Sequence, residues 1–242
     1  MFFEEIDFET FNKEFVKART TELEKRRKRI QEKLQELNSD IKDKVKKEYN
    51  LENSKYITSS IIPKNNEINW IGLRYGKPIK ERLIENKEIS FLKFSCFQLD
   101  IDRKGLTMGI FISASSDNFD MLYTREQLTN DNIEYKQDLI NEVEKLQGYG
   151  YRFTIDIPDE KHINWENKVF LFDEYQKEEV GNKFINYYEK NCKNGNYSYI
   201  QYRYPRKDER IETKNKIEEE FLKNLKILYP LYKKLSWQMK GK

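Results

Sequence analysis

The first fifty residues carry a helical pattern of hydrophobic positions. Between residues 8 and 49, apolar side chains recur at spacings of three, four or five, and neither Pro nor Gly occurs in that span. This pattern predicts one amphipathic helix over 8–49, about 63 Å long at about 1.5 Å per residue. Because that length exceeds the width of a small domain, we expect the helix either to break near residues 38–40 or to project. In the first case Ser39 would cap a second helix.

The rest of the chain alternates between period-two and helical patterns. Runs rich in β-branched and aromatic residues predict strands, and runs with apolar residues three or four positions apart predict helices. The predicted strands are Ile68–Arg74, Ile89–Ile101, Leu106–Ser113, Tyr151–Ile157, Val169–Phe172 and Tyr197–Tyr204, and the predicted helices are Thr124–Gln147, Glu178–Asn191 and Glu212–Lys234. Thr124 and Gln127 fit a capping box, and Gly148 fits a helix stop.

These elements predict an α+β fold with the order α-β-β-β-α-β-(β)-α-β-α. The short turn Asp102–Gly105 joins two consecutive strands, which favours an antiparallel meander flanked by helices. The candidate boundary lies near residues 50–66. We therefore expect a long basic amphipathic helix or helical hairpin over 1–50 and an α+β domain over 51–242.

Composition supports a folded chain. Of 242 residues, 37% are apolar and 36% are charged, but 14% are aromatic, and aromatic side chains bury large areas. The sequence shows no apolar run of membrane-spanning length and no secretory signal. Cys96 and Cys192 are expected to be reduced buried thiols, which together with the missing signal suggests a cytoplasmic protein.

Charge is segregated along the chain, which is basic near both ends and acidic in the middle. The densest basic run is Lys25, Arg26, Arg27, Lys28 and Arg29. Such a run could contact nucleic-acid phosphates, or it could be a solvated helix face balanced by neighbouring glutamates. The pattern over 23–45 also suits a helical partner in a coiled coil, within the chain or in a second copy, although the heptad is irregular at Arg26 and Arg27.

A second candidate for nucleic-acid binding combines aromatic and basic residues near the end of the chain. It consists of Tyr202, Arg203, Tyr204, Arg206 and Lys207. Nucleobases stack on tyrosine rings, and arginines contact phosphates. Because side chains alternate along a strand, Tyr197 and Tyr199 face one way and Tyr202 and Tyr204 the other, so one pair is expected in the core.

Most catalytic motifs are missing. The sequence has one histidine, His162, no CxxC pair, no phosphate-binding GxxxxGK[ST] loop and no GxSxG elbow. What remains is carboxylate chemistry, because Mg²⁺ prefers oxygen ligands and a lysine can stabilise charge. Asp100, Asp102 and Lys104 form one candidate set, in which the two aspartates would hold Mg²⁺. Asp159, Glu166 and Lys168 form another. In the alternative interpretation Asp102 and Lys104 are turn residues and Asp159 ends a strand.

The order α-β-β-β-α-β is similar to the core of the PD-(D/E)xK nucleases. In that family the acid and the lysine lie on the third strand. Here that strand is Leu106–Ser113, which contains neither residue type. The similarity is therefore one of element order.

The main functional hypothesis is a non-catalytic or accessory binding module of a cytoplasmic nucleic-acid-associated assembly. Two alternatives stay open. One is a Mg²⁺-dependent nuclease that uses the carboxylates and a lysine. The other is a structural protein that self-associates, or binds a protein partner, through residues 8–49. No membrane partner is expected.

Overall fold

The computed structural model describes residues 1–16, 18–53, 58–62, 67–84, 87–112, 118–130, 132–158, 165–193 and 196–237. The chain adopts the predicted α+β fold, in which helices flank an antiparallel sheet. The elements in order are α1 (Glu5–Glu9), α2 (Thr21–Tyr49), β1 (Glu52–Asn53), β2 (Thr58–Ile62), β3 (Glu67–Gly76), β4 (Leu83–Ile84), β5 (Lys87–Glu88), β6 (Cys96–Asp102), β7 (Gly105–Ile112), α3 (Phe119–Thr129), α4 (Ile133–Glu144), β8 (Arg152–Pro158), β9 (Trp165–Leu171), α5 (Lys177–Asn191), β10 (Tyr197–Pro205) and α6 (Lys214–Leu235).

The long N-terminal helix is confirmed, but it is shorter than predicted. It begins at Thr21, where the hydroxyl of Thr20 accepts a hydrogen bond from the Leu23 amide at 3.3 Å. Its 29 residues span about 44 Å at about 1.5 Å per residue. The predicted break at residues 38–40 is wrong, because α2 continues through them and the Ser39 hydroxyl donates to the Gln35 carbonyl at 2.9 Å.

The predicted helix Thr124–Gln147 is two helices. Asn118 caps α3 and Asn132 caps α4, and each side chain accepts a hydrogen bond from the amide three residues later. The predicted capping box at Thr124 is therefore wrong: Thr124 lies inside α3 and donates to the Leu235 carbonyl. α3 ends at Thr129, and Asn132 supplies the restart that the continuous apolar pattern conceals.

The predicted strands are present with two changes, and the sequence patterns missed β1, β2, β4 and β5. The predicted strand Ile89–Ile101 starts only at Cys96, after a short 3₁₀ helix over Phe91–Lys93. The sheet order is β1-β3-β6-β7-β10-β8-β9, with β2 also paired to β3, so β10 is inserted between β7 and β8. Among the described strands, β3, β6 and β7 lie side by side in chain order, as in a meander, whereas β10 lies out of chain order.

The chain divides into two compact units. Unit 1 comprises Met1–Gly76, Phe97–Met108 and Arg203–Leu225, and unit 2 comprises Lys77–Cys96, Gly109–Tyr202 and Lys226–Lys242. In unit 1 the apolar stripe of α2 is buried, and the helix packs on β1 and β3. The stripe consists of Leu23, Ile30, Leu34, Leu37, Ile41 and Val45.

The two faces of β3 in unit 1 carry different kinds of residue. On one face Leu73 and Tyr75 of β3 are buried, and the Tyr75 ring lies 5.5 Å from that of Phe221 in α6. The other face of β3 carries Trp70, Gly72 and Arg74, because side chains alternate along a strand. This second face is called the polar face of unit 1.

In unit 2, α5 packs on one face of β8 and β9. Phe153 and Phe170 lie 5.2 and 5.9 Å from the ring of Phe184. Both cysteines are buried and free, as expected. Within the part of the chain that the structure describes, no helix has the length and apolar character needed to cross a membrane.

Candidate functional site

The carboxylates Asp100 and Asp102 lie on the polar face of unit 1, near the end of β6. Gly72 of β3 lies beside Asp100, since a Cβ at that position would be 1.9 Å from Asp100 Oδ1. The absence of a side chain at residue 72 therefore makes room for the carboxyl group. Arg74, two residues further along β3, is buried and stacks on the Trp70 ring, with 4.9 Å from its guanidinium carbon to the ring centroid.

The surroundings of Asp100 change its acidity. Burial, with a smaller contribution from the neighbouring Asp102, raises the pKa of Asp100 to about 7, although the guanidinium groups of Arg74 and Arg203 act in the opposite direction. Its Oδ1 atom is buried without a hydrogen-bond partner. The Asp100 carboxyl group is thus held where its negative charge is poorly stabilised.

The partners of Asp102 and Lys104 match those of turn residues. Both carboxylate oxygens of Asp102 accept hydrogen bonds from Arg203 Nη1, at 2.7 and 2.8 Å, and Oδ1 also accepts from the Lys104 amide at 2.6 Å. The Lys104 side chain is exposed in the turn. Among the described residues, no group of three or more His, Cys, Asp or Glu side chains could hold a metal ion.

Of the second candidate set, Asp159, Glu166 and Lys168, the structure describes the last two residues. Asp159, like His162, lies outside the described residues. Glu166 and Lys168 are on β9 in unit 2, where Lys168 Nζ lies 3.7 Å from Glu166 Oε1 and donates to Asn191 Oδ1 at 3.3 Å. These two residues form an exposed pair on an outer strand.

The basic run of α2 is largely engaged within unit 1. Arg27 is buried and donates to the carbonyl oxygens of Phe15 and Ala18 at 3.1 and 3.0 Å. Arg29 donates to both carboxylate oxygens of the buried Asp7. These two side chains fasten the segment before α2 to the helix.

Of the remaining members of the run, Lys25 and Lys28 are exposed and Arg26 is half-buried. Arg26 pairs with Glu22 at 3.1 Å, and Lys28 lies 3.8 Å from Glu32. Because surface pairs contribute little to stability, the exposed Lys25 and Lys28 stay accessible to other anions.

The aromatic and basic segment near the end of β10 is divided in the same way. Tyr204 is buried and its hydroxyl donates to Glu220 at 2.7 Å, but Tyr202 is only half-buried, so neither tyrosine pair lies wholly in the core. Arg206 donates to Glu5 and to the Arg103 carbonyl, while Lys207 is exposed. Tyr202, in unit 2, meets the Tyr151 ring edge-on at 6.1 Å. Most of the segment therefore serves the fold.

A different set of rings, on the other face of β10, is the strongest candidate surface in unit 2. Tyr197 and Tyr199 are half-buried, and both pack on the buried Phe111 of β7. The ring centroids lie 6.0 Å apart for Phe111 and Tyr197, stacked at 17°, and 5.3 Å apart for Phe111 and Tyr199. We call these three residues the ring row.

Polar groups border the ring row on β8. Tyr199 is opposite Thr154, and Tyr197 is opposite Asp156, whose pKa is raised by burial. Gln201, next along β10, donates to the Thr154 hydroxyl at 3.1 Å. The helix contacts of these strands, made by Phe153 and Phe170 with α5, lie on the opposite face.

The sequence contained part of the signal for this row. Period-two alternation places Tyr197 and Tyr199 on one face of their strand. Phe111 lies 86 positions before Tyr197 in the sequence, and Thr154 lies 45 positions before Tyr199. No local sequence pattern links either residue to the two tyrosines. Only the insertion of β10 between β7 and β8 brings the rings together.

Neither a known protein family nor a curated protein matches this chain.

Proposed function

We propose that this protein is a non-catalytic binding module of a cytoplasmic nucleic-acid-associated assembly, and that single-stranded nucleic acid stacks on the ring row of unit 2. The observation that carries the proposal is the packing of Tyr197 and Tyr199 on Phe111. A buried ring behind two half-exposed rings holds them rigidly, so little conformational entropy is lost when a base stacks on them.

Half-exposed aromatic rings suit a nucleic-acid ligand. Stacking on an aromatic ring contributes about 1–3 kcal/mol per base. Thr154 and Gln201, beside the rings, are buried and hydrogen-bonded to each other, so they support the surface and leave the contact with a base to the rings. In unit 1, taken by itself, Lys25 and Lys28 rather than the engaged Arg27 and Arg29 are a separate candidate for phosphate contact.

The test is fluorescence anisotropy with labelled single-stranded DNA and RNA at two salt concentrations. We expect binding that weakens as salt rises. Replacing both tyrosines, in the variant Tyr197→Leu/Tyr199→Leu, should weaken binding at least about tenfold. Tyr149→Leu, at an exposed tyrosine elsewhere in unit 2, is the matched control. Absence of binding at low salt, or unchanged affinity in the double variant, would refute the proposal.

The alternative of a Mg²⁺-dependent nuclease has one supporting observation. Asp100 and Asp102 lie on one strand face, and a carboxyl group with a pKa near neutrality suits proton transfer. In this alternative the two aspartates hold the metal ion and Lys104 stabilises charge. Cleavage of labelled strands that requires Mg²⁺ and is lost in Asp102→Asn would favour it.

Self-association through residues 8–49 has less support. The apolar stripe of α2 is already buried within unit 1, with Ile30, Leu34 and Val45 inaccessible to solvent. A coiled coil with a second copy would need that stripe.

A further inference from the structure

The strand β9 in unit 2 ends the sheet order, so one of its edges has no neighbouring strand in that order. All seven of its residues pair with β8 in one continuous antiparallel register, from Arg152 opposite Leu171 to Pro158 opposite Trp165. The strand is therefore regular over its whole length. It contains no proline. A regular edge of this kind is a template for pairing with another strand.

Several side chains of β9 are exposed to solvent, and two of them are apolar. Val169 and Leu171 are 43% and 38% exposed, and Glu166 and Asn167 are exposed as well. Val169, Leu171 and Asn167 share one face of the sheet because they alternate along the strand. Glu166 and Lys168 share the other face, with 3.7 Å between their charged groups.

The charges of β9 are self-complementary in one antiparallel register. If Asn167 of one copy lies opposite Asn167 of another, Glu166 faces Lys168 twice. Opposite charges directly across a strand pair stabilise it, and like charges destabilise it. Moving the axis by one residue to Lys168 would place the two lysines opposite each other.

We infer that two copies of this chain associate by antiparallel pairing of their β9 strands about a two-fold axis at Asn167. The occupant of the open edge is thus a second copy, joined by an isologous contact in which each chain contributes the same residues. Backbone hydrogen bonds supply the pairing, and the Glu166–Lys168 pairs set the register. This inference does not depend on nucleic-acid binding.

A cysteine at the axis tests the register. Residues directly opposite in an antiparallel pair have Cα atoms about 4.5–5.5 Å apart, which lies within the range of a disulfide bond. Asn167→Cys should therefore cross-link into a covalent dimer under mild oxidation. Asn141→Cys, at an exposed asparagine of α4 in the same unit, is the control and should not. The two native cysteines are buried and appear equally in both variants.

A charge exchange tests the interface by sedimentation velocity. The wild-type chain should dimerise, and Lys168→Glu should weaken the dimer about tenfold because Glu166 would then face a glutamate. Glu166→Lys/Lys168→Glu should restore the dimer, while Lys145→Glu, directly after α4, should leave it unchanged. A monomer at every concentration, a dimer that tolerates Lys168→Glu, or cross-linking no faster at 167 than at 141 would each overturn the inference.

Discussion

The ammonium nitrogen of Lys77 lies 3.0 Å from Oδ1 of Asp120, and both side chains are buried within unit 2. Asp120 also accepts hydrogen bonds from the backbone amides of Ser95 and Trp237, at 2.6 and 2.7 Å. The Lys77 ammonium lies 5.0 Å from the Phe94 ring centroid. One carboxylate thus ties three segments of the chain together, including the residues that follow α6.

We expect Asp120→Asn to lower the free energy of unfolding by about 3 kcal/mol. The amide nitrogen of asparagine would face either a backbone N–H or the Lys77 ammonium, so a donor would meet a donor. Burial raises the pKa of Asp120, and an uncompensated Lys77 would be a buried charge. Urea denaturation measures the change.

The double variant Lys77→Met/Asp120→Leu separates charge from packing. Replacing both partners of a buried ion pair with apolar side chains leaves no unpaired charge. We expect the double variant to be more stable than Asp120→Asn. If the double variant is less stable than Asp120→Asn, the Lys77–Asp120 pair stabilises unit 2 by more than the neutralisation of each buried charge by the other.

The two kinds of basic residue in α2 should respond differently to mutation. Arg27→Met should lower the free energy of unfolding by about 2 kcal/mol, because the carbonyl oxygens of Phe15 and Ala18 lose their donor. Lys25→Met, two residues away on the exposed side, should change it by about 0.5 kcal/mol or less. Equal effects in thermal or urea unfolding would contradict the structural role of Arg27.

The raised pKa of Asp100 predicts a pH dependence of stability. The folded carboxyl group, with a pKa of about 7, binds a proton more tightly than the unfolded one at 3.8. The free energy of unfolding therefore falls as pH rises through this window. Between about pH 4 and about pH 8 the loss is on the order of 4 kcal/mol.

Asp100→Asn should remove this dependence, because an amide does not titrate in that range. Urea midpoints of wild type and variant, compared at acidic and alkaline pH, isolate the residue from the other carboxylates. We expect the variant to gain relative stability at alkaline pH. Parallel pH curves would show that Asp100 titrates normally.

The caps of α3 and α4 can be tested in the same way. Asn118→Ala and Asn132→Ala should each cost about 1 kcal/mol, because each side chain accepts the hydrogen bond of a free amide at a helix start. Asn141→Ala, at an exposed position inside α4, should cost nothing because alanine favours the helix. If Asn141→Ala lowered the free energy of unfolding by a similar amount, the loss could not be attributed to the caps.

These asparagines also show where sequence reasoning succeeds and fails. Local periodicity predicted β3, β7, β8, α5, β10 and α6 to within a few residues, because each alternates or repeats over its own length. It failed where one helix ends and the next begins within a single run of helically spaced apolar residues, as between α3 and α4. Thr124 was an equally good local cap candidate, and only its buried position inside α3 excludes it.

The candidate site required contacts between distant parts of the chain. Asp100 could be singled out as a carboxylate, but its pKa is raised by burial at a place where Gly72 makes room for it, and Arg74 only opposes that rise. The basic run was visible, but the burial of Arg27 was not, because its partners precede the helix. Sequence gave the chemical identity of these groups, while tertiary contacts determined which of them remain available to a ligand.

The position of β10 in the sheet has a consequence for synthesis of the chain. β10 pairs with β8 on one side and lies beside β7 on the other, yet it begins only at Tyr197 of 242 residues. While the ribosome is still translating the segment before it, β7 and β8 each lack a neighbour. A nascent chain stalled in that interval would present two unpaired strand edges. We therefore expect chaperone contact and aggregation of truncated products to peak just before β10 emerges.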